Sequence, residues 1–122
     1  MKVINTGNAD HYDWGGGSQG WRLLNGADLS VIQERIPPGL GEINHYHRKA
    51  RQLFYVLGGV LAIDTDRGSV RLAQGDAAEV PPCLAHRVWN PGDKDVSFLI
   101  VSAPTTHGDR VNVDAGEPFT IG

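Results

Sequence analysis

Residues 39–59 read GLGEINHYHRKARQLFYVLGG, and the pattern inside this stretch decides the fold. From Gln52 onward the run QLFYVLGG puts Gln52, Phe54 and Val56 on one face, the period of two that marks an extended strand. Similar short runs lie on both sides of it. They cover residues 21–24, 29–36, 52–57, 60–64, 69–72, 77–80, 87–89 and 96–102. Within 29–36, the apolar Leu29, Val31 and Ile36 mix with Gln33, Glu34 and Arg35, as in a strand with one wet face. The linkers carry turn chemistry: Asn25-Gly26, Pro37-Pro38-Gly39, Asp66-Arg67-Gly68, Gln74-Gly75-Asp76 and Asn90-Pro91-Gly92-Asp93. No window of helical length carries a 3.6-residue apolar period. Many short strands joined by tight turns predict an all-β sandwich or barrel.

The 122 residues fit one domain with a single core. The reading divides them into an N-terminal arm (1–20) ending in the Gly15-Gly16-Gly17 turn, a barrel (21–103) and a C-terminal tail (104–122) of weak pattern. A net charge of −3, with both signs spread along the chain, offers no footprint for nucleic acid or an anionic membrane. No apolar run approaches the roughly 20 residues that span a bilayer. The first residues lack a signal peptide's apolar centre, and the lone Cys83 cannot form an internal disulfide. The expectation is a soluble, cytoplasmic protein.

The chemistry lies in the histidines. His45 and His47 are two apart, so on an extended strand both imidazoles project from one face and can converge on one ion. A second stretch, residues 75–90 (GDAAEVPPCLAHRVWN), ends a strand at Pro81-Pro82 and turns to deliver His86 onto the next. Three neutral imidazoles from two separated segments form a candidate site for a borderline metal.

These two stretches resemble the two motifs of the cupin superfamily, in particular its small single-domain bacterial members. In the first motif, G-x5-H-x-H-x4-E-x6-G, Gly39, His45, His47 and Gly59 fall on the pattern, and Gln52 stands where the family usually has Glu. In the second, G-x5-P-x-G-x2-H-x3-N, the matches are Gly75, Pro81, His86 and Asn90, with Cys83 in place of the middle Gly. The resemblance covers about residues 29–103. It implies a cupin-type double-stranded β-helix, a jelly-roll barrel, holding one divalent cation (Zn, Ni, Mn or Fe) through His45, His47, Gln52 and His86. The family hosts dioxygenases, isomerases, epimerases, decarboxylases, cyclases and non-enzymatic binders, so the resemblance leaves the reaction open.

Gln52 shifts the balance. Without a ligating carboxylate the ion keeps its full charge, which makes it a stronger Lewis acid and makes ferrous iron harder to oxidise. Some cupins with this ligand variation resemble zinc-using polyketide cyclases. The leading expectation is therefore an isomerase- or cyclase-like enzyme using the cation as a Lewis acid on a small organic substrate. The alternatives are an iron- or nickel-dependent dioxygenase, and a non-catalytic binder of a small molecule or sugar.

Around the metal, Phe54, Val56, Val88 and Ile43 or Tyr46 are expected to line the barrel, with Trp14, Trp21 and Trp89 as walls or packing residues. Arg22, Arg48 and Arg51 are candidates to hold a carboxylate or phosphate, with at least two of the three read as solvated. Glu42 is a candidate base, although a loop carboxylate is usually solvated. His11 and His107 lie outside both motifs and are expected to be chemically idle, and Cys83 to be a buried, inert thiol. Gly15-x-Gly17-x-x-Gly20 fits a dinucleotide fingerprint only as a string, since a strand follows it and no helix. Open sheet edges need covering, which predicts a homodimer with the N-terminal arm or an edge strand crossing to the partner.

Overall fold

The computed structural model describes residues 1–113, and among these it is all-β, with eleven strands and no helix. None of it forms a helix long and apolar enough to cross a membrane. The strands pack as layers of antiparallel sheet, as expected for a jelly-roll barrel. Six strands form one antiparallel sheet in the order β1 (Asp10–Trp14), β2 (Ser18–Asn25), β3 (Ser30–Ile36), β10 (Val96–Ala103), β5 (Arg51–Gly58) and β8 (Ala77–Val80). The facing layer consists of β7 (Gly68–Leu72), β6 (Leu61–Thr65) and β9 (Arg87–Trp89), together with the pair β11 (Arg110–Asn112) and β4 (His45–His47).

Strict alternation builds the large sheet. In β5, Gln52, Phe54 and Val56 are buried while Arg51, Leu53, Tyr55 and Leu57 are exposed. In β10, Val96, Phe98, Ile100 and Ser102 are buried. Pairing aligns these inward residues in rows. Ile36 stands beside Val96, Ile32–Ile100–Phe54 form a row, and Ser30–Ser102–Gln52 form another. The inner face thus grades from apolar at one end to polar at the other. The apolar end meets Leu61, Ile63, Leu72 and Val88 of the facing layer, which closes the core. The polar end is left for the site.

The motif positions do structural duty. At Gly59, φ is +82° and a Cβ would run into the carbonyl of Asp95 and the backbone of Val96, so only glycine fits. Asn90 is fully buried and donates to the carbonyls of Ile36 (2.8 Å) and Lys94 (2.7 Å) while accepting from the Gly92 amide (2.9 Å), which ties the turn after β9 to the end of β3. Cys83 keeps the left-handed backbone its motif glycine would have, at φ 67°, a conformation that costs an L-residue about 1–2 kcal/mol. Its amide donates to the His47 carbonyl at 2.7 Å, which holds that turn against β4. Contrary to the expectation of a buried thiol, Cys83 is exposed.

Both end segments contribute strands to the barrel. Asp10–Trp14 is an edge strand that pairs along its whole length with β2 of the same chain, so the segment is spent within the chain. The C-terminal segment contributes β11, which pairs with β4, the strand of the two histidines. Residues 114–122 of the tail lie outside the described residues.

Candidate metal centre

His45 and His47 are buried on β4 and Tyr46 between them is half-buried, so alternation sends both imidazoles inward. His86 sits directly beside His45, each residue's amide donating to the other's carbonyl, at 3.0 and 2.8 Å. One ring nitrogen from each histidine lies within 4.8 Å of the others, so the three could hold a metal ion.

Which nitrogen faces the centre is settled by the surroundings. Nδ1 of His45 lies 2.8 Å from the Ile43 carbonyl, Nδ1 of His86 2.9 Å from that of Leu84, and Nδ1 of His47 3.2 Å from that of Asp109. A carbonyl only accepts, so each Nδ1 carries the proton and each Nε2 presents a lone pair. Burial, reinforced by the neighbouring His86 and by Arg110, pushes His45 down to about 2. Burial likewise lowers His86 to about 4, and lowers His47. All three are therefore neutral at neutral pH, the state a metal requires. Two buried atoms here lack any hydrogen-bond partner: Nε2 of His86 and Oε1 of Gln52. Gln52 donates its amide NH2 to Ser102 Oγ at 3.2 Å, leaving its acceptor oxygen free. Orphaned acceptors in a buried site are what a cation would satisfy, and the donor set fits a divalent ion of borderline softness.

His45, His47 and Gln52 open onto a cavity of about 1000 Å³. Of the expected lining residues, Phe54 and Ile43 face it. Val56 and Val88 lie in the closed core instead, and Tyr46 is on the opposite side of its strand. Trp14 faces the cavity; Trp21 lies against His11 and Arg35, and Trp89 packs beside Gly41 and Arg87. Arg22 lines the cavity, whereas Arg51 is engaged outside by Glu79 at 2.6 Å and Arg48 does not reach it. Glu42 is not a solvated loop carboxylate. Its side chain is only 12% exposed, and its Oε2 lies 3.4 Å from Arg110 Nη1 and 3.8 Å from His45 Nε2. Burial, with the nearby Glu34, raises it to about 8. His107, expected to be idle, stands on the cavity wall.

Tyr12, Glu34, Asp109 and Arg110 were not singled out by the sequence. Glu34 was discoverable, since on a period of two it shares a face with Ile32 and Ile36. The other three carry no local signal. Asp109 matters most for architecture. Its carboxylate accepts the amides of Arg48 (2.9 Å), Lys49 (3.0 Å) and Ala50 (2.9 Å), clamping the turn after β4, while its carbonyl orients His47. Asp109→Ala should lower divalent-metal affinity about 10-fold, the usual scale for a residue that orients a ligand, and should destabilise the fold by about 1–2 kcal/mol. Metal titration and urea unfolding of the variant measure the two effects.

Residues 32–102, more than half of the chain, match the Cupin_2 family, described as the cupin domain. The chain is a cupin. An uncharacterised protein from Methanocaldococcus jannaschii is 24% identical over 82 residues, which cover 67% of this chain and 66% of that one, so the cupin spans just under two thirds of the relative's length. Among solved structures, the polyketide cyclase RemF from Streptomyces resistomycificus superposes with a TM-score of 0.78 at 16% identity, covering 96% of this cupin and 88% of that chain. A sugar phosphate isomerase of the cupin superfamily from Silicibacter pomeroyi gives 0.74 at 20% identity, covering 98% and 97%. At such identities the likeness establishes the fold.

Proposed function

We propose that this cupin is a metal-dependent enzyme in which His45, His47, His86 and Gln52 hold one divalent cation, and that it isomerises or cyclises a small oxygen-bearing organic substrate. The observation that carries the reading is the set of three buried neutral imidazoles, each held by a backbone carbonyl so that its Nε2 lone pair is free. When bound, the cation supplies Lewis acidity toward a substrate oxygen. The chain does the rest. Phe54, Ile32 and Ile100 exclude water from one wall, and Arg22 and Arg110 offer charge to an acidic group. Neighbours named as a cyclase and an isomerase are compatible with such chemistry, as is the neutral Gln52.

Two measurements test this. Elemental analysis of the protein from its native host should find close to one divalent ion per chain; a metal-free protein with full ligand binding would refute it. Metal-loaded protein in D2O should exchange the protons next to the carbonyl of a suitable substrate, followed by NMR with glyceraldehyde, dihydroxyacetone and galacturonate as probes. Exchange that persists without oxygen removes the dioxygenase alternative, and exchange that chelation fails to stop removes the metal.

We infer a homodimer as well. The outer face of the large sheet carries an apolar patch in which Leu53, Tyr55 and Leu57 are exposed beside Leu99 and Val101. A patch of that kind is a natural interface. Light scattering at micromolar concentration should give twice the chain mass, and Leu53→Glu should give the monomer; a monomeric native protein contradicts the inference.

A further inference from the structure

Across β1, β2 and β3 the register places Tyr12, Gly20 and Glu34 side by side in one row. Gly20 is the gap in it: any Cβ there would overlap the phenol ring of Tyr12. Because glycine leaves that space, the Tyr12 side chain crosses β2, and its hydroxyl donates to Oε2 of Glu34 at 2.6 Å. Glu34 itself is 6% exposed, an inward residue of β3 paired with Phe98 on β10, and it faces the cavity. Its other oxygen, Oε1, is buried and has no partner. A carboxyl in such a place is costly to the fold. Glu34 borders the cavity, and Oε1 is its one oxygen without a partner.

We propose that Glu34 is the proton-transferring residue of this cupin and that Tyr12 positions it, the substrate being a small hydroxy-aldehyde, hydroxy-ketone or sugar acid. The inference rests on the function proposed above and deepens it. In the step, Glu34 Oε1 takes a proton from the carbon next to the substrate carbonyl. The C–H electron pair becomes a C–C double bond, and the carbonyl π pair moves onto its oxygen as an enolate. Glu34 then returns the proton to the same carbon, which is exchange or epimerisation, or an equivalent proton ends on the neighbouring carbon after the hydroxyl proton has moved across, which is isomerisation. No oxidant or reductant is consumed.

The other buried acid is a poorer candidate. Glu42 is engaged by Arg110 and faces His45, whereas Glu34 has a free oxygen. Burial lifts Glu34 to about 7, against the pull of the Tyr12 hydroxyl and of Arg110, so that near neutral pH it can both accept and return a proton. The groups acting on it are Tyr12 from β1, Arg110 from β11 and Glu42 from the loop before β4, with Arg22 of β2 stacked on the Tyr12 ring at 4.4 Å. Tyr12 stays protonated, because burial and the adjacent Glu34 raise it far above its ordinary value.

The test is deuterium exchange into glyceraldehyde, dihydroxyacetone and galacturonate by the metal-loaded full chain. Glu34→Gln should slow exchange at least about 100-fold, the scale of general acid–base catalysis, with metal stoichiometry unchanged. Tyr12→Phe should move the acidic limb of the rate–pH profile to higher pH, because the lost hydrogen bond favoured the carboxylate. An active wild type with a Glu34→Gln variant that exchanges within 3-fold of it overturns the role of Glu34 alone. An unmoved profile in Tyr12→Phe overturns the positioning role. A wild type that exchanges none of the probes overturns this inference and the proposed function together.

Discussion

Replacing His86 with alanine should lower the affinity for zinc at least about 100-fold, more than the loss expected from any residue that merely orients a ligand. His86 is 1% exposed, and its Nε2 finds no partner in the protein. Of the four proposed ligands it alone comes from outside the stretch that carries His45, His47 and Gln52. Its removal leaves those three, on strands of two different sheets, with an open side, and water would have to enter a buried site to fill it. Competition against a chromophoric chelator gives the affinity. A second reading comes from stability, because an ion that binds only the folded chain raises the unfolding midpoint by an amount that grows with the logarithm of its affinity. The zinc-dependent part of that rise should vanish in His86→Ala. An affinity within 3-fold of the native protein would mean that the imidazoles do not share an ion.

Glu34→Gln should make the metal-free protein more stable at pH 8, by about 2–3 kcal/mol, with the gain disappearing toward pH 4.5. Burial raises Glu34 from an ordinary value of 4.5 to about 7. Between those values the folded state keeps a proton that the unfolded chain releases, so stability falls as pH rises through the window and is lowest once the buried carboxyl ionises. Glutamine has nearly the same shape and no charge to desolvate, so the variant escapes that loss. Urea unfolding at pH 8 and pH 4.5 measures the difference. A gain of the same size at both would show that Glu34 ionises in the folded chain as freely as in the unfolded one. Together with the exchange assay, the result would place Glu34 among residues kept for function at the expense of stability.

Much of the fold was legible because local rules and tertiary demands agree in its central strands. In β5 and β10 buried and exposed residues alternate, and the turns between strands carry Gly, Pro, Asn or Asp where tight reversals need them. The histidine spacing was legible for the same reason: two residues apart on a strand means one face. The edge hairpin was harder to read. Its first strand, DHYDW, is polar and pairs on one side only, so it has no apolar alternation to announce it. β11 is three residues long and half-exposed, and it is a strand because β4 is there to pair with.

The charged residues of the site show where local reasoning stopped. Glu42 looked solvated because it lies in a loop, yet that loop folds beneath Arg110, which comes from 68 residues further along the chain. His107 and Asp109 carried no motif, and they reach the site because β11 returns beside β4. A lone cysteine between two barrel strands reads as a buried thiol, but the left-handed turn that Cys83 occupies lies at the surface.

The linear chain determined which residues could be ligands and which face of each strand they occupy, since both follow from side-chain chemistry and the two-residue pleat. Tertiary structure alone decided their protonation and their partners. The carbonyls of Ile43, Leu84 and Asp109 come from three separate loops, and only their meeting turns three Nε2 lone pairs inward. Likewise, only the alignment of β1, β2 and β3 sets a phenol, a glycine gap and a carboxyl in one row. Such relations depend on strand register, and register is a property of paired strands that no single segment contains.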